Sequence, residues 1–235
     1  MTKSSTTKGQ RIGIWVIAAL MALGTVGSLV AVLLANENAG KDEERLQKMM
    51  NDYNTEVENH NSVLSKKYFD TINPSNENTI AKVAYATNDD VNKAVNAAEK
   101  AYKNIWSKTS PEDRGKYLFR VARILQEKAR EFSLIESMDG GKPIKESKSI
   151  DIPLAISHFF YYAGWADKLN YAFPNRKVSS IGVAGQIIPW NFPLLMAAWK
   201  IAPALACGNT VVIKSAETTP LTLYKLAEVF EEAGI

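Results

Sequence analysis

Few side chains here can do chemistry, and they are unevenly placed. The only cysteine is Cys207, and the two histidines, His60 and His158, lie far apart, so the sequence offers no intramolecular disulfide and no cysteine-based or histidine-based metal site. Cys207 sits in an apolar run just ahead of Gly208-Asn209 with no base close in sequence, the setting of an inert packed thiol. His60 reads as solvated and His158 as a packed or half-buried helix residue. Two other groups stand out. Pro189-Trp190-Asn191-Phe192-Pro193 forms a proline-bounded turn that starts a helix, and Lys214 with Glu217 flanks the end of a short apolar run. Taken alone, the first is a loop and the second a solvated strand end.

The elements that carry these groups follow from periodicity. Phe69 to Ala84 reads as extended chain interrupted by Asn73-Pro74-Ser75-Asn76. A helix follows, capped by Asp89 or Asp90, which buries Val91, Val95, Ala98 and Tyr102 and leaves Lys93, Asn96 and Lys100 wet. A second helix has Ser110 as cap, Pro111 at its first position and Asp113 as the capping-box acid, ahead of Leu118, Val121, Ala122, Leu125 and Ala129. Gly140-Gly141 interrupts the pattern, and Pro153 precedes a helix from Leu154 to Leu169. Ile181 to Ile188 is a strand, the apolar helix after it ends near Cys207, and Thr210 to Lys214 is a second strand. Thr218-Thr219-Pro220 then supplies the cap and first turn of a helix through Phe230 that ends at Gly234. Strand, helix, strand, helix predicts an α/β fold with a βαβ unit and a parallel sheet, half of a dinucleotide-type domain. No G-x-G-x-x-G follows either strand, so a nucleotide here is held some other way.

The stretch from Gly182 through Ile187-Ile188-Pro189-Trp190-Asn191-Phe192-Pro193 to Leu195, with Pro203 to Thr210 and Lys214-Ser215-Ala216-Glu217-Thr218-Thr219-Pro220, resembles the aldehyde dehydrogenase superfamily nearly residue for residue. The resemblance implies an incomplete Rossmann-like parallel-sheet domain of the aldehyde dehydrogenase fold over residues 68–235. It implies that Asn191 donates a hydrogen bond to the substrate carbonyl oxygen, where negative charge grows as a thiolate attacks. It implies that Ile187, Ile188 and Trp190 line the nicotinamide side of the cofactor, and that Lys214 and Glu217 hold the adenosine ribose. A carboxylate on the ribose hydroxyls disfavours a 2′-phosphate, so NAD is expected over NADP. The substrate class it implies is an aldehyde, oxidised to a carboxylate.

The first 67 residues are of another kind. Residues 1–11 form a short basic N-terminus, and Ile12 to Ala35 is an uncharged run of twenty-four residues. As a helix rising about 1.5 Å per residue it would reach roughly 36 Å, enough to cross a hydrocarbon core of ~30 Å. A single transmembrane helix contacting membrane lipid is therefore expected at 12–35. The competing readings, a cleaved signal peptide and a buried soluble helix, fit less well, because the run exceeds an ordinary signal core and lacks a small-residue cleavage site. Lys3, Lys8 and Arg11 precede the run without an acid, which orients the N-terminus toward the cytoplasm. That orientation puts the rest of the chain away from the usual NAD pool. Residues 36–67 read as a polar juxtamembrane stalk, with Leu46, Met49, Met50, Tyr53, Val57 and Leu64 as a thin apolar line. The opening around Lys8 to Ile17 and the stretch Leu64 to Tyr68 resemble anchors of membrane-tethered FKBP-type prolyl isomerases of small-genome bacteria.

With 46% apolar residues the chain can bury a core, and a net charge of +3, evenly spread, excludes nucleic acid as a partner. Family chemistry needs a cysteine thiolate, a glutamate that activates it and then a water, and NAD as hydride acceptor. By the resemblance both side chains, the rest of the catalytic domain and the segment that makes family members homo-oligomers fall past residue 235. An open sheet edge and catalytic silence are therefore expected. The alternatives are a non-enzymatic, membrane-anchored interaction protein and a chimeric or incomplete gene product.

Overall fold

The computed structural model describes residues 68–176 and 178–235. The span at 12–35, the stalk at 36–67, His60 and the prolyl-isomerase likeness lie outside these. Among the described residues no helix is long and apolar enough to cross a membrane.

Strands β1 (Tyr68–Ile72) and β2 (Thr79–Ala84) form an antiparallel hairpin. Its turn is held by Asn73, whose Oδ1 accepts from the Ser75 N–H at 2.9 Å and the Ser75 hydroxyl at 2.7 Å. Helix α1 (Asn88–Asn104) departs from expectation twice. Thr87, not Asp89 or Asp90, is the cap: its hydroxyl accepts from the Asp90 N–H at 3.3 Å, while Asp90 accepts from the Thr87 N–H at 2.9 Å. The threonine takes the cap because Asp90, at the third helical position, reaches back to complete the box. The buried stripe is Ala94, Ala98 and Ala101, with Val91 and Val95 outside at 43% and 40% exposure. Small side chains face inward because α1 lies close on the parallel sheet, where the Thr210 hydroxyl reaches the Ala98 carbonyl at 3.1 Å.

Helix α2 (Pro111–Glu127) has the expected cap, with the Ser110 hydroxyl accepting from the Asp113 N–H at 3.1 Å and Leu118, Val121, Ala122 and Leu125 buried, but the Asp113 carboxylate meets the Ser110 hydroxyl at 3.0 Å rather than closing a capping box. The chain kinks at Lys128, so Ala129 opens a separate helix α3 (Ala129–Gly140). Gly141 stops α3 at φ +69°, a left-handed backbone that suits glycine, and a Cβ there would stand 2.6 Å from Pro74 Cγ. Pro153 does not precede its helix but sits inside it. A short turn α4 (Ile144–Glu146) runs through a π-helical turn (Ser147–Asp151) into α5 (Ile152–Trp165). The wider turn accommodates a proline, whose ring would clash with the carbonyl four residues back in a regular helix.

After the one-turn α6 (Leu169–Ala172) come β3 (Val183–Ile187), α7 (Pro193–Ala206), β4 (Thr210–Lys214) and α8 (Leu221–Ala233). Strands β3 and β4 pair in parallel, from Val183 against Thr210 to Ile187 against Lys214. Helix α1 covers one face of this sheet and α7 the other. The core gathers α2, α3, α5, α7 and α8 around Leu118, Leu125, Phe132, Phe159, Ile201 and Phe230, with the Phe159 and Phe230 rings edge to face at 5.9 Å. Burying each such side chain contributes roughly 1.5–3 kcal/mol. The expected cap of α8 is not formed. Pro220 holds the cap position without a side-chain bond, and the Leu221 N–H donates instead to Asp139 of α3 at 2.8 Å. Thr219, buried by this packing, donates its hydroxyl to the Trp190 carbonyl at 3.3 Å.

Candidate functional site

Strand β3 delivers Ile187 to its carboxyl end and β4 delivers Lys214 beside it, because the two residues are register partners. The Ile188 N–H extends the pairing by donating to the Lys214 carbonyl at 2.9 Å. Both following loops, residues 188–192 and 215–220, therefore leave from the same edge, and the Thr219 bond to Trp190 ties one to the other. Ligands in open α/β sheets bind in this position, outside the carboxyl ends of the strands.

The six residues singled out from the sequence occupy this edge in different ways. Ile187 and Trp190 are 72% and 65% exposed, an unusual display of large apolar surface on one short loop. Asn191 is exposed one residue further on, at the mouth of α7, which Pro193 opens. Ile188 differs from the others: its side chain is buried in the core and its N–H is committed to Lys214, so it can offer a ligand only its carbonyl. Lys214 and Glu217 form an exposed ion pair across the end of β4. The lysine's hydrogen bond holds the Glu217 carboxyl below its ordinary range, so it is ionised at neutral pH. A cavity of about 210 Å³ lies against this pair, bounded also by Ser215, Tyr85 and Tyr224.

Against Phe192, next to Asn191, lies a buried polar layer. The Lys142 ammonium stands 3.7 Å from the centre of the Phe192 ring and pairs with Asp151, at the end of the π-helical turn, at 2.5 Å. The Asp151 side chain is 1% exposed. Glu136 is buried nearby, and neither of its oxygens completes a hydrogen bond among the described residues. Burial pushes its carboxyl from 4.5 up to about 7, and the Asp151 charge adds to the rise. The Thr222 hydroxyl and the Leu194 N–H at the start of α7, close by but short of full hydrogen-bond geometry, pull the other way, as does the Lys142 charge. Burial likewise raises Asp139 to about 7, although the Leu221 N–H and the Thr71 hydroxyl, at 2.8 Å each, favour its ionised form. One signal marks these acids in the sequence: Phe132, Glu136 and Asp139 share a stripe of α3 at helical spacing, so carboxylates fall where apolar residues belong.

Cys207 stands away from this edge, at the far end of α7, half-buried. Burial raises its thiol above the ordinary range, and nearby Arg114 offsets only part of the rise. That is the reverse of an activated nucleophile. His158 is half-buried on α5, where the Trp199 indole donates to its ring and burial holds its pKa below the usual value. Among the described residues no group of three or more His, Cys, Asp or Glu side chains is placed to hold a metal.

Comparison with known proteins matches residues 61–235 to the aldehyde dehydrogenase family. An aldehyde dehydrogenase of Alternaria alternata is 46% identical over 176 residues, covering 72% of this chain and 35% of its own length. The mitochondrial aldehyde dehydrogenase of Rattus norvegicus is 43% identical over 185 residues, covering 74% and 36%. Among solved structures, the NAD+ complex of an aldehyde dehydrogenase from Bacillus cereus superimposes with a TM-score of 0.67 at 38% identity, covering 72% of this chain and 36% of that one. Betaine aldehyde dehydrogenase from Staphylococcus aureus, solved with NAD+, gives 0.65 at 36% identity over the same shares. The chain thus spans about a third of the length of these relatives. The relatives lend no support to the prolyl-isomerase likeness of the N-terminus.

Proposed function

Because the chain belongs to the aldehyde dehydrogenase family, we propose that residues 68–235 supply the carbonyl-oxygen donor and part of the dinucleotide site for oxidising an aldehyde to a carboxylate with NAD. The observation that carries this reading is the meeting of Asn191 and the Lys214–Glu217 pair at one edge of the parallel sheet. The amide of Asn191 takes no partner among the described residues, so its N–H groups remain available to an incoming oxygen. A loop fixed by Thr219 and by the Phe192–Lys142 contact limits the reorganisation needed when charge develops there.

Lys214 and Glu217 fit the ribose of a dinucleotide, since an ammonium and an ionised carboxylate beside an open cavity offer both a donor and an acceptor to a diol. The bound NAD supplies the hydride acceptor. Exposed Ile187 and Trp190 give its nicotinamide end an apolar wall. The charge on Glu217 opposes a 2′-phosphate, which supports NAD over NADP.

Cys207, the sole thiol of the sequence, lies at the other end of α7 with its pKa raised by burial, so residues 68–235 supply the carbonyl donor and part of the cofactor site but no activated thiol. By themselves these residues are expected to bind NAD without turning over aldehyde. Quenching of tryptophan fluorescence by NAD, alongside NADH formation with short aldehydes, tests both halves: quenching without NADH is expected, and turnover comparable with a full-length relative overturns the reading. The uncharged run at 12–35 favours a further role, in which a single-pass anchor with a cytoplasmic N-terminus tethers this domain as an interaction module. Protease protection in sealed vesicles checks it, and a C-terminus shielded on the cytoplasmic side contradicts that orientation.

A further inference from the structure

At the end of β3 remote from Asn191, where Ser180 leads toward the strand and Cys207-Gly208 closes α7, there is a second cavity of about 260 Å³. Arg114 of α2 lines it and is buried, at 8% exposure. Its Nε donates to the Ala206 carbonyl at 3.1 Å and its Nη1 to the Thr109 carbonyl at 2.6 Å. Both acceptors are neutral. Among the described residues no carboxylate comes within ion-pair distance of this guanidinium, and Glu112 acts on it only from farther off.

A guanidinium cannot shed its proton to escape burial, so a buried one without a counter-charge is costly. The rest of the lining is suited to supply partners rather than to exclude them. Ser107, Asn170 and Ser179 bring hydroxyls and an amide, the Ser180 hydroxyl is already bonded to Tyr102 at 2.8 Å, and Asp167 is engaged by Lys168 at 2.7 Å. Gly208 leaves the guanidinium face open, for a Cβ there would lie 3.3 Å from its central carbon.

We propose that this cavity is a binding site for a small inorganic oxyanion of the phosphate class, held by the unused edge of Arg114 and the surrounding hydroxyls. The planar fork of arginine matches such an anion with two parallel hydrogen bonds. The bound anion completes the charge balance where the start of α2, the end of α7 and the approach to β3 converge. The site is separate from the Asn191 edge and does not rest on the dehydrogenase reading.

Cys207 lines the same cavity and is the only thiol of the chain, so its alkylation reports occupancy cleanly. The full chain is treated with neutral iodoacetamide in increasing phosphate, with potassium chloride holding ionic strength constant. Phosphate is expected to slow the reaction saturably, by about elevenfold at ten times its dissociation constant, whereas chloride alone is expected to have no effect. Arg114→Gln is expected to lose the protection. Because that variant also gives up two carbonyl contacts, Ser179→Asp is the second arm. A carboxylate placed in the cavity should pair with Arg114, raise the melting temperature and abolish protection by phosphate in a folded protein. Equal alkylation rates in phosphate and chloride, or protection that survives Ser179→Asp, overturn the proposal.

Discussion

Replacing Glu136 by glutamine should stabilise the protein above neutral pH and leave it nearly unchanged in acid. In the folded chain this carboxyl is pushed from the ordinary 4.5 up to about 7, chiefly by burial, and neither oxygen completes a hydrogen bond among the described residues. The folded state therefore holds the proton more tightly than the unfolded chain does. Stability from the protonated form is fully present below about pH 4.5 and is lost as pH rises through about 7. A shift of this size is worth roughly 3 kcal/mol, at about 1.4 kcal/mol per pH unit across the window. Glutamine keeps the shape and cannot ionise, so Glu136→Gln should escape that loss. Urea unfolding of the full chain at pH 5, 6, 7 and 8 reads the difference. The variant should lead by somewhat under about 1 kcal/mol at pH 5 and draw away progressively, to roughly 3 kcal/mol by pH 8. Asp139 is raised in the same direction, so the variant retains a shallower slope of the same sign. Parallel profiles, or parental stability that climbs between pH 5 and 8, would show that Glu136 is not buried as described.

Three further outcomes follow from local geometry. Glu217→Gln keeps a hydrogen-bonding side chain but removes the charge paired with Lys214; it should weaken NAD binding while narrowing the preference over NADP, read by fluorescence titration with both cofactors. Thr87→Ala removes the hydroxyl of the capping box at α1 and should cost about 1 kcal/mol, with Thr87→Ser close to the parent in thermal melts. Gly141→Ala forces a left-handed backbone on alanine, about 1–2 kcal/mol, and sets its Cβ against Pro74; the loss measured by denaturation should exceed the strain alone, and Pro74→Ala in the same chain should recover part of it.

Much of the frame was legible from the sequence because it depends on local signals. Ser110 and Pro111 mark the start of α2, Gly141 and Gly234 the ends of α3 and α8, and the β-branched run Thr210–Lys214 is a strand as written. The Asn191 turn and the Lys214–Glu217 pair were visible as motifs, and the parallel pairing of their strands brings them to one edge. What periodicity misjudged was decided by distant partners. Val91 and Val95 look like a core stripe, yet the close approach of Thr210 to the Ala98 backbone selects the alanine face. Thr219 looks like a cap, yet Asp139, eighty-two residues before Leu221, serves the start of α8 and frees the Thr219 hydroxyl to hold Trp190. The same logic explains the acids beneath the site. Asp139 is buried because it joins the β1 hairpin, through Thr71, to α8. Lys142 sits against the Phe192 ring, and a π-helical turn brings Asp151 to the lysine. These contacts link the loop that carries Asn191 to α3, the π-helical turn and α8. The position of the proposed carbonyl donor is thus set largely by buried polar groups outside its own motif, and substitutions in that layer should disturb the Asn191 loop while leaving its sequence intact.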